Sequence, residues 1–112
     1  MIAAIPVESA SENAAISMRF ARSGFFCILN RATGDMQFVE NEFASSKQGA
    51  GKGVFNWLTG ELGVTQFMGH ELGMKLQHLA TEKKVQLIIL PTNLTALSGL
   101  FGLMKLQRIS YL

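Results

Sequence analysis

The chain has 112 residues, 48% apolar, 16% charged and 9% aromatic, with a mean hydropathy of +0.24; that fits one domain with ample core-forming material and excludes general disorder. One cysteine excludes an intrachain disulfide and a Cys-x-x-Cys metal clip, and it predicts a reducing, cytoplasmic setting. Ten basic against eight acidic residues leave a net charge of +2, too little for a dedicated nucleic-acid surface.

Ile2 to Val7 has the pattern of a buried strand and lacks the basic leader of a signal peptide. A polar loop over Glu8 to Asn13 leaves it. Gly24 to Asn30 is apolar on both alternating faces, as a strand covered on each side requires. The turn Arg31 to Gly34 leads into Asp35 to Glu40, so these two runs predict a hairpin. After a glycine-rich loop from Asn41 to Gly53, Val54, Trp57, Leu58 and Leu62 recur at helical spacing, and Gly63 closes that helix. Val64 to Met68 predicts a fourth strand, Gly69 to Glu71 a tight connection, and Leu72, Leu76, Leu79 and Ala80 a second helix. Val85 to Leu90 is the most apolar strand. Beyond Pro91, Thr92 or Asn93 is placed to cap a third helix striped by Leu94, Leu97, Phe101 and Met104. Leu100 and Leu103 fall off that stripe. Pro91, Thr92 and Asn93 interrupt the apolar stretch from Val85 to Met104, so no membrane span is expected.

Helices alternating with the later strands predict right-handed crossovers and a parallel region in the sheet, with helices on its faces. With the second strand antiparallel, strands one, three, four and five share a direction. Their C-terminal ends then gather Glu8 to Ser23, Asn41 to Lys52, Gly69 to Gly73 and Pro91 to Asn93 at one edge, where open α/β sheets place ligands.

Gln48 to Gly53 brings bare backbone N–H groups to a helix start, which reads either as an anion contact or as a flexible loop with a solvated lysine, Lys52. It is not a Walker loop, because Ser46 and Gly53 stand where that motif needs a Gly and a hydroxyl. Arg19 and Arg22 on the same edge read either as a clamp for carboxylate or phosphate-like oxygens or as ordinary surface arginines. His70 is placed to reach a metal or cluster without opening the core, its alternative being a plain loop histidine. His78, inside the second helix, is assigned to solvent. Cys27 is read as a buried inert thiol, and the six methionines as core filler rather than a copper box. With Asp35 the only aspartate and the glutamates dispersed, two-metal hydrolysis is disfavoured.

Three segments, in this order and spacing, resemble the dinitrogenase iron-molybdenum cofactor biosynthesis family, the NifX/NafY-like domains. They are Ser17-Met18-Arg19-Phe20-Ala21-Arg22 leading into Phe25-Phe26, Asn41 followed by Gly49-Ala50-Gly51, and Glu71-Leu72-Gly73-Met74. Ala21, Met74 and Lys84 stand where the family's Gly, Pro and Gly are usual. The likeness runs from Ile2 to about Leu90 and implies a single domain over residues 1–112. The implied architecture is a ribonuclease-H-like three-layer α/β fold without nuclease function. Its five-stranded mixed sheet would have the order 3-2-1-4-5, with strand two antiparallel and helices on both faces.

In function, the resemblance implies non-catalytic binding or carriage of an anionic iron-sulfur or iron-molybdenum type cofactor or its precursor, with cofactor-biosynthesis proteins as partners. Such a guest needs cationic and N–H donors with a soft or imidazole ligand. Arg19, Arg22, Asn41, Gly49, Gly51, Lys52 and His70 are the expected set, with His70 as the metal ligand. The competing expectation is an apo regulatory or interaction module that takes a small anion at the glycine loop and dimerises through its last helix.

Overall fold

The computed structural model describes residues 1–109; positions 110–112 of the expected single domain lie outside the described residues. Five strands, β1 (Ile2–Val7), β2 (Phe25–Asn30), β3 (Met36–Glu40), β4 (Gln66–Gly69) and β5 (Gln86–Ile89), form one sheet in the order β3-β2-β1-β4-β5. β2 is antiparallel to β1 and β3, whereas β4 is parallel to β1 and β5. Three helices, α1 (Ala50–Asn56), α2 (Met74–Lys83) and α3 (Leu97–Ile109), cover the sheet, and a π-helical turn, Trp57–Glu61, continues α1.

Side chains alternate across each strand, so the sheet separates two cores. Ala4, Phe26, Ile28 and Phe67 point to the face covered by Val54, Leu58 and Leu76 of the α1 and α2 side. Ala3, Ile5, Cys27 and Leu29 point to the other, under Ile16, Leu97 and Leu100. β1 and β2 are buried along most of their length because helices lie on both sides. The arrangement is the ribonuclease-H-like three-layer fold that the resemblance implies. No helix among the described residues is long and apolar enough to cross a membrane.

Two local departures from the sequence reading have clear backbone causes. The helix expected to start at Thr92 or Asn93 begins at Leu97. Before it, Thr95 and Ala96 are held by the first loop: the Ile16 N–H donates to the Thr95 carbonyl at 2.8 Å, Ala15 pairs with Ala96, and the Leu97 N–H donates to the Ala14 carbonyl at 2.9 Å. The helix expected to run through Leu62 turns π-helical, with the Leu62 N–H reaching back five residues to the Trp57 carbonyl. Gly63 ends it at φ 66, as expected of a residue that must turn left-handed. β5, the most apolar strand by sequence, lies at the sheet edge with Ile89 61% exposed.

Candidate functional site

β1, β3, β4 and β5 point the same way, so their C-terminal ends deliver four loops to one rim. Backbone bonds join those loops. Arg19 pairs in parallel with Glu71, and the Phe20 N–H donates to the Glu71 carbonyl at 3.2 Å, tying the first loop to the segment after β4. The Leu90 N–H donates to the Gly69 carbonyl at 2.9 Å, bringing in the end of β5. Gly69 has to be small here, because a Cβ would come within 3.2 Å of the Phe20 ring and 3.6 Å of Pro6. Phe20 cannot give way easily, being packed at a tilt between Phe26 and Phe67 at centroid distances of 5.0 and 4.9 Å.

His70 stands at this junction, half-buried, with Nδ1 3.3 Å from the Leu90 carbonyl oxygen. A carbonyl can only accept, so Nδ1 is the donor, and in the neutral ring Nε2 is the nitrogen with the lone pair. Metal-binding histidines are commonly oriented by such a bond from the other ring nitrogen. Arg19 is exposed one register step away, opposite Glu71.

The remaining expected site residues gather on the β3 side of the rim. Arg22 Nη1 donates to the Ser46 carbonyl and, at 3.4 Å, to that of Ala44, clasping the loop that leads to α1. Asn41 is buried, and its Nδ2 donates to the carbonyls of Ala21 and Ser23 at 3.0 and 2.8 Å while its Oδ1 accepts the Phe43 N–H at 3.0 Å. These two side chains therefore hold the loop in place. Gly49 caps α1 at φ 74, and a Cβ at Gly49 or Gly51 would meet no atom within 4 Å, so the backbone is open there. Lys52 is exposed on the first turn of α1.

Among the described residues no three His, Cys, Asp or Glu side chains converge as a metal cage. Cys27 is fully buried, as expected; burial, with Glu12's negative charge as the smaller cause, pushes its thiol from 9.0 up to about 12, and it offers no thiolate to the rim. The methionines meet the core-filler expectation in part: Met36, Met68 and Met104 pack in the second core, whereas Met1, Met18 and Met74 are exposed, because terminal, loop and helix-start positions leave them beyond the packed layers. A surface hollow of about 550 Å3 runs along α2, lined by Met74, Gln77, His78, Thr81 and Glu82. All five belong to a single helix, and the junction of loops at His70 is the better candidate site because several elements fix it.

Residues 1–97 match the protein family described as Dinitrogenase iron-molybdenum cofactor. The chain belongs to that family. Solved structures similar to this family member include the apo form of the orange protein (ORP) from Desulfovibrio gigas, at 18% identity and a TM-score of 0.76, covering 96% of this chain and 85% of that one. Another is the NMR structure of a candidate NifB protein from Thermotoga, of the DUF35 family, at 20% identity and a TM-score of 0.71, covering 93% and 87%. At these identities the likeness is one of fold. No curated protein matches the chain.

Proposed function

We propose that this protein binds and carries an anionic iron-sulfur or iron-molybdenum type cluster, or its precursor, on the rim at His70, handing it to or from cofactor-biosynthesis proteins. The observation that carries the reading is the His70 bond to the Leu90 carbonyl, which leaves Nε2 free and directed by the fold rather than by solvent. A cluster arrives with its own sulfide framework, so a single imidazole is a sufficient protein ligand where a bare ion would need a cage. Arg19 and Lys52 supply positive charge, the open backbone at Gly49 and Gly51 supplies N–H donors, and Arg22 and Asn41 hold the loop that presents them. Carriage requires no general acid or base, in keeping with a non-catalytic role.

The test is anaerobic incubation with isolated iron-molybdenum cofactor followed by gel filtration. The expected result is charge-transfer absorption that co-elutes with the protein, falls sharply in His70→Ala and weakens with added salt in the parent. A colourless parent, or a His70→Ala variant that loads equally, overturns the reading. The alternative, an apo module dimerising through its last helix, is favoured by Leu103, 49% exposed on α3. It predicts a colourless protein that elutes at twice the monomer mass.

A further inference from the structure

Of the two edges of the sheet, one is guarded and the other is bare. At β3 the exposed carboxylates of Asp35 and Glu40 flank the strand, with Glu42 just beyond. At β5 no charged residue occurs from Val85 to Met104, and Ile89 is 61% exposed. Soluble proteins usually protect an edge with charge, proline, a bulge or a covering segment, and Pro91 stands only past the end of β5. The backbone gives that edge a specific demand. The Gln86 N–H donates to the Thr65 carbonyl at 3.0 Å and the Leu90 N–H to the Gly69 carbonyl at 2.9 Å, both on the β4 side. Alternation along the strand therefore turns the N–H and C=O of Leu87 and Ile89 outward, where no hydrogen-bond partner meets them among the described residues. We propose that β5 is a self-pairing edge, through which two copies of the chain join antiparallel so that their five-stranded sheets become one.

A second copy is the occupant that the strand itself specifies. With the twofold axis at Ile88, Leu87 of one copy faces Ile89 of the other and the two Ile88 residues face each other, so every outward donor and acceptor finds a partner. Gln86 then meets Leu90, and no facing pair opposes like charges. Antiparallel pairing also sends Lys83 and Lys84, which precede the strand, to opposite ends of the joint, whereas a parallel pairing would bring the two sets side by side. The rival, β5 of one copy on β3 of the next, sets the bare edge against acidic flanks and does not close, so it would grow as an open chain. The joint is small, because β5 has four residues, and the dimer is therefore reversible rather than obligate. It uses neither the α3 surface of the alternative reading nor the His70 side chain, so it stands or falls apart from the cluster.

The experiment is sedimentation equilibrium of the full chain without cluster, over a rising concentration series. The expected weight-average mass climbs from the monomer to twice that value and stops there. Ile89→Pro removes an outward N–H without touching a bond to β4, a change that edge strands tolerate, and Ile89→Lys puts a charge on the bare edge. Each should raise the dissociation constant at least about tenfold, with unchanged circular dichroism, while Leu103→Lys on α3 should associate as the parent does. Ile88→Cys should give a covalent dimer on mild oxidation, because facing residues of such a pair stand about 4.5 Å apart at Cα; the parent, whose one thiol is buried, should not. A parent that stays monomeric at millimolar concentration, undiminished association in either Ile89 variant, loss that follows Leu103→Lys, growth past the dimer, or no cross-link from Ile88→Cys overturns the proposal.

Discussion

Asn41 and Ser17 are buried polar residues on one rim, and they differ in what their side chains reach. The Asn41 amide is tied to backbone at both ends: Nδ2 donates to two carbonyls and Oδ1 accepts one N–H, all within 3.0 Å. Cutting it to a methyl strands those groups in a closed space, so Asn41→Ala should lower the unfolding free energy by about 2–3 kcal/mol, read as a lower urea midpoint. The family resemblance placed Asn41 with the guest-binding residues, and an amide before a glycine loop has the same spelling whether it faces a ligand or a carbonyl. Gln66 shows the same limit at the opposite end of the sheet. It is 1% exposed inside an apolar run, yet it accepts from Arg31 at 3.1 Å and donates to Gln86 at 2.8 Å, partners 35 and 20 residues away that no local pattern announces. The place of His70 in the tight connection after β4 was legible because Gly69 and Glu71 flank it in the sequence; its role as a ligand belongs to the proposal above.

α2 ends where the chain must turn left-handed, and the residue that does so is Lys84, at φ 61 and ψ 37. The Val85 N–H then closes the end on the Ala80 carbonyl at 2.8 Å. A side chain in that conformation costs about 1–2 kcal/mol, against which glycine adds less than about 1 kcal/mol of unfolded-chain entropy. Lys84→Gly is therefore expected to stabilise the protein by about 0.5–1 kcal/mol, seen as a raised thermal midpoint with unchanged helix content. With Ala21, it is one of two positions where the resemblance led to an expectation of glycine, and the dihedral explains why glycine suits it here. Strands were legible from their apolar runs, the helices between the later ones implied a parallel region, and the order of the sheet came from the family resemblance. The π-helical turn after α1 and the late start of α3 were not legible, because both depend on backbone partners rather than on which side chains are apolar. In α3, the cap residues Thr92 and Asn93 precede a segment whose Thr95 carbonyl and Ala96 backbone are already committed to Ala15 and Ile16.

Across the whole molecule the sheet seals two cores, and the chain's single thiol lies in the one beneath α3, with Leu97 and Leu100 among its cluster. Burial, and secondarily Glu12, hold Cys27 protonated up to about 12, against 9.0 for a free thiol. The sign of the consequence follows from proton counting. Below 9.0 folded and unfolded chains both keep this proton, and the group's contribution is constant; between 9.0 and about 12 the unfolded chain releases it while the fold retains it, so stability falls as pH rises. The slope from one such group reaches at most about 1.4 kcal/mol per pH unit. Urea midpoints measured from neutral pH upward should therefore decline more steeply in the parent than in Cys27→Ala, and the deficit of the variant, which comes from its lost packing, should shrink as pH passes 9.0. Parallel declines in the two proteins would mean that the thiol already meets water in the native state. In that case α3 would have to open over the second core, and Cys27 would react with thiol reagents without unfolding of the sheet.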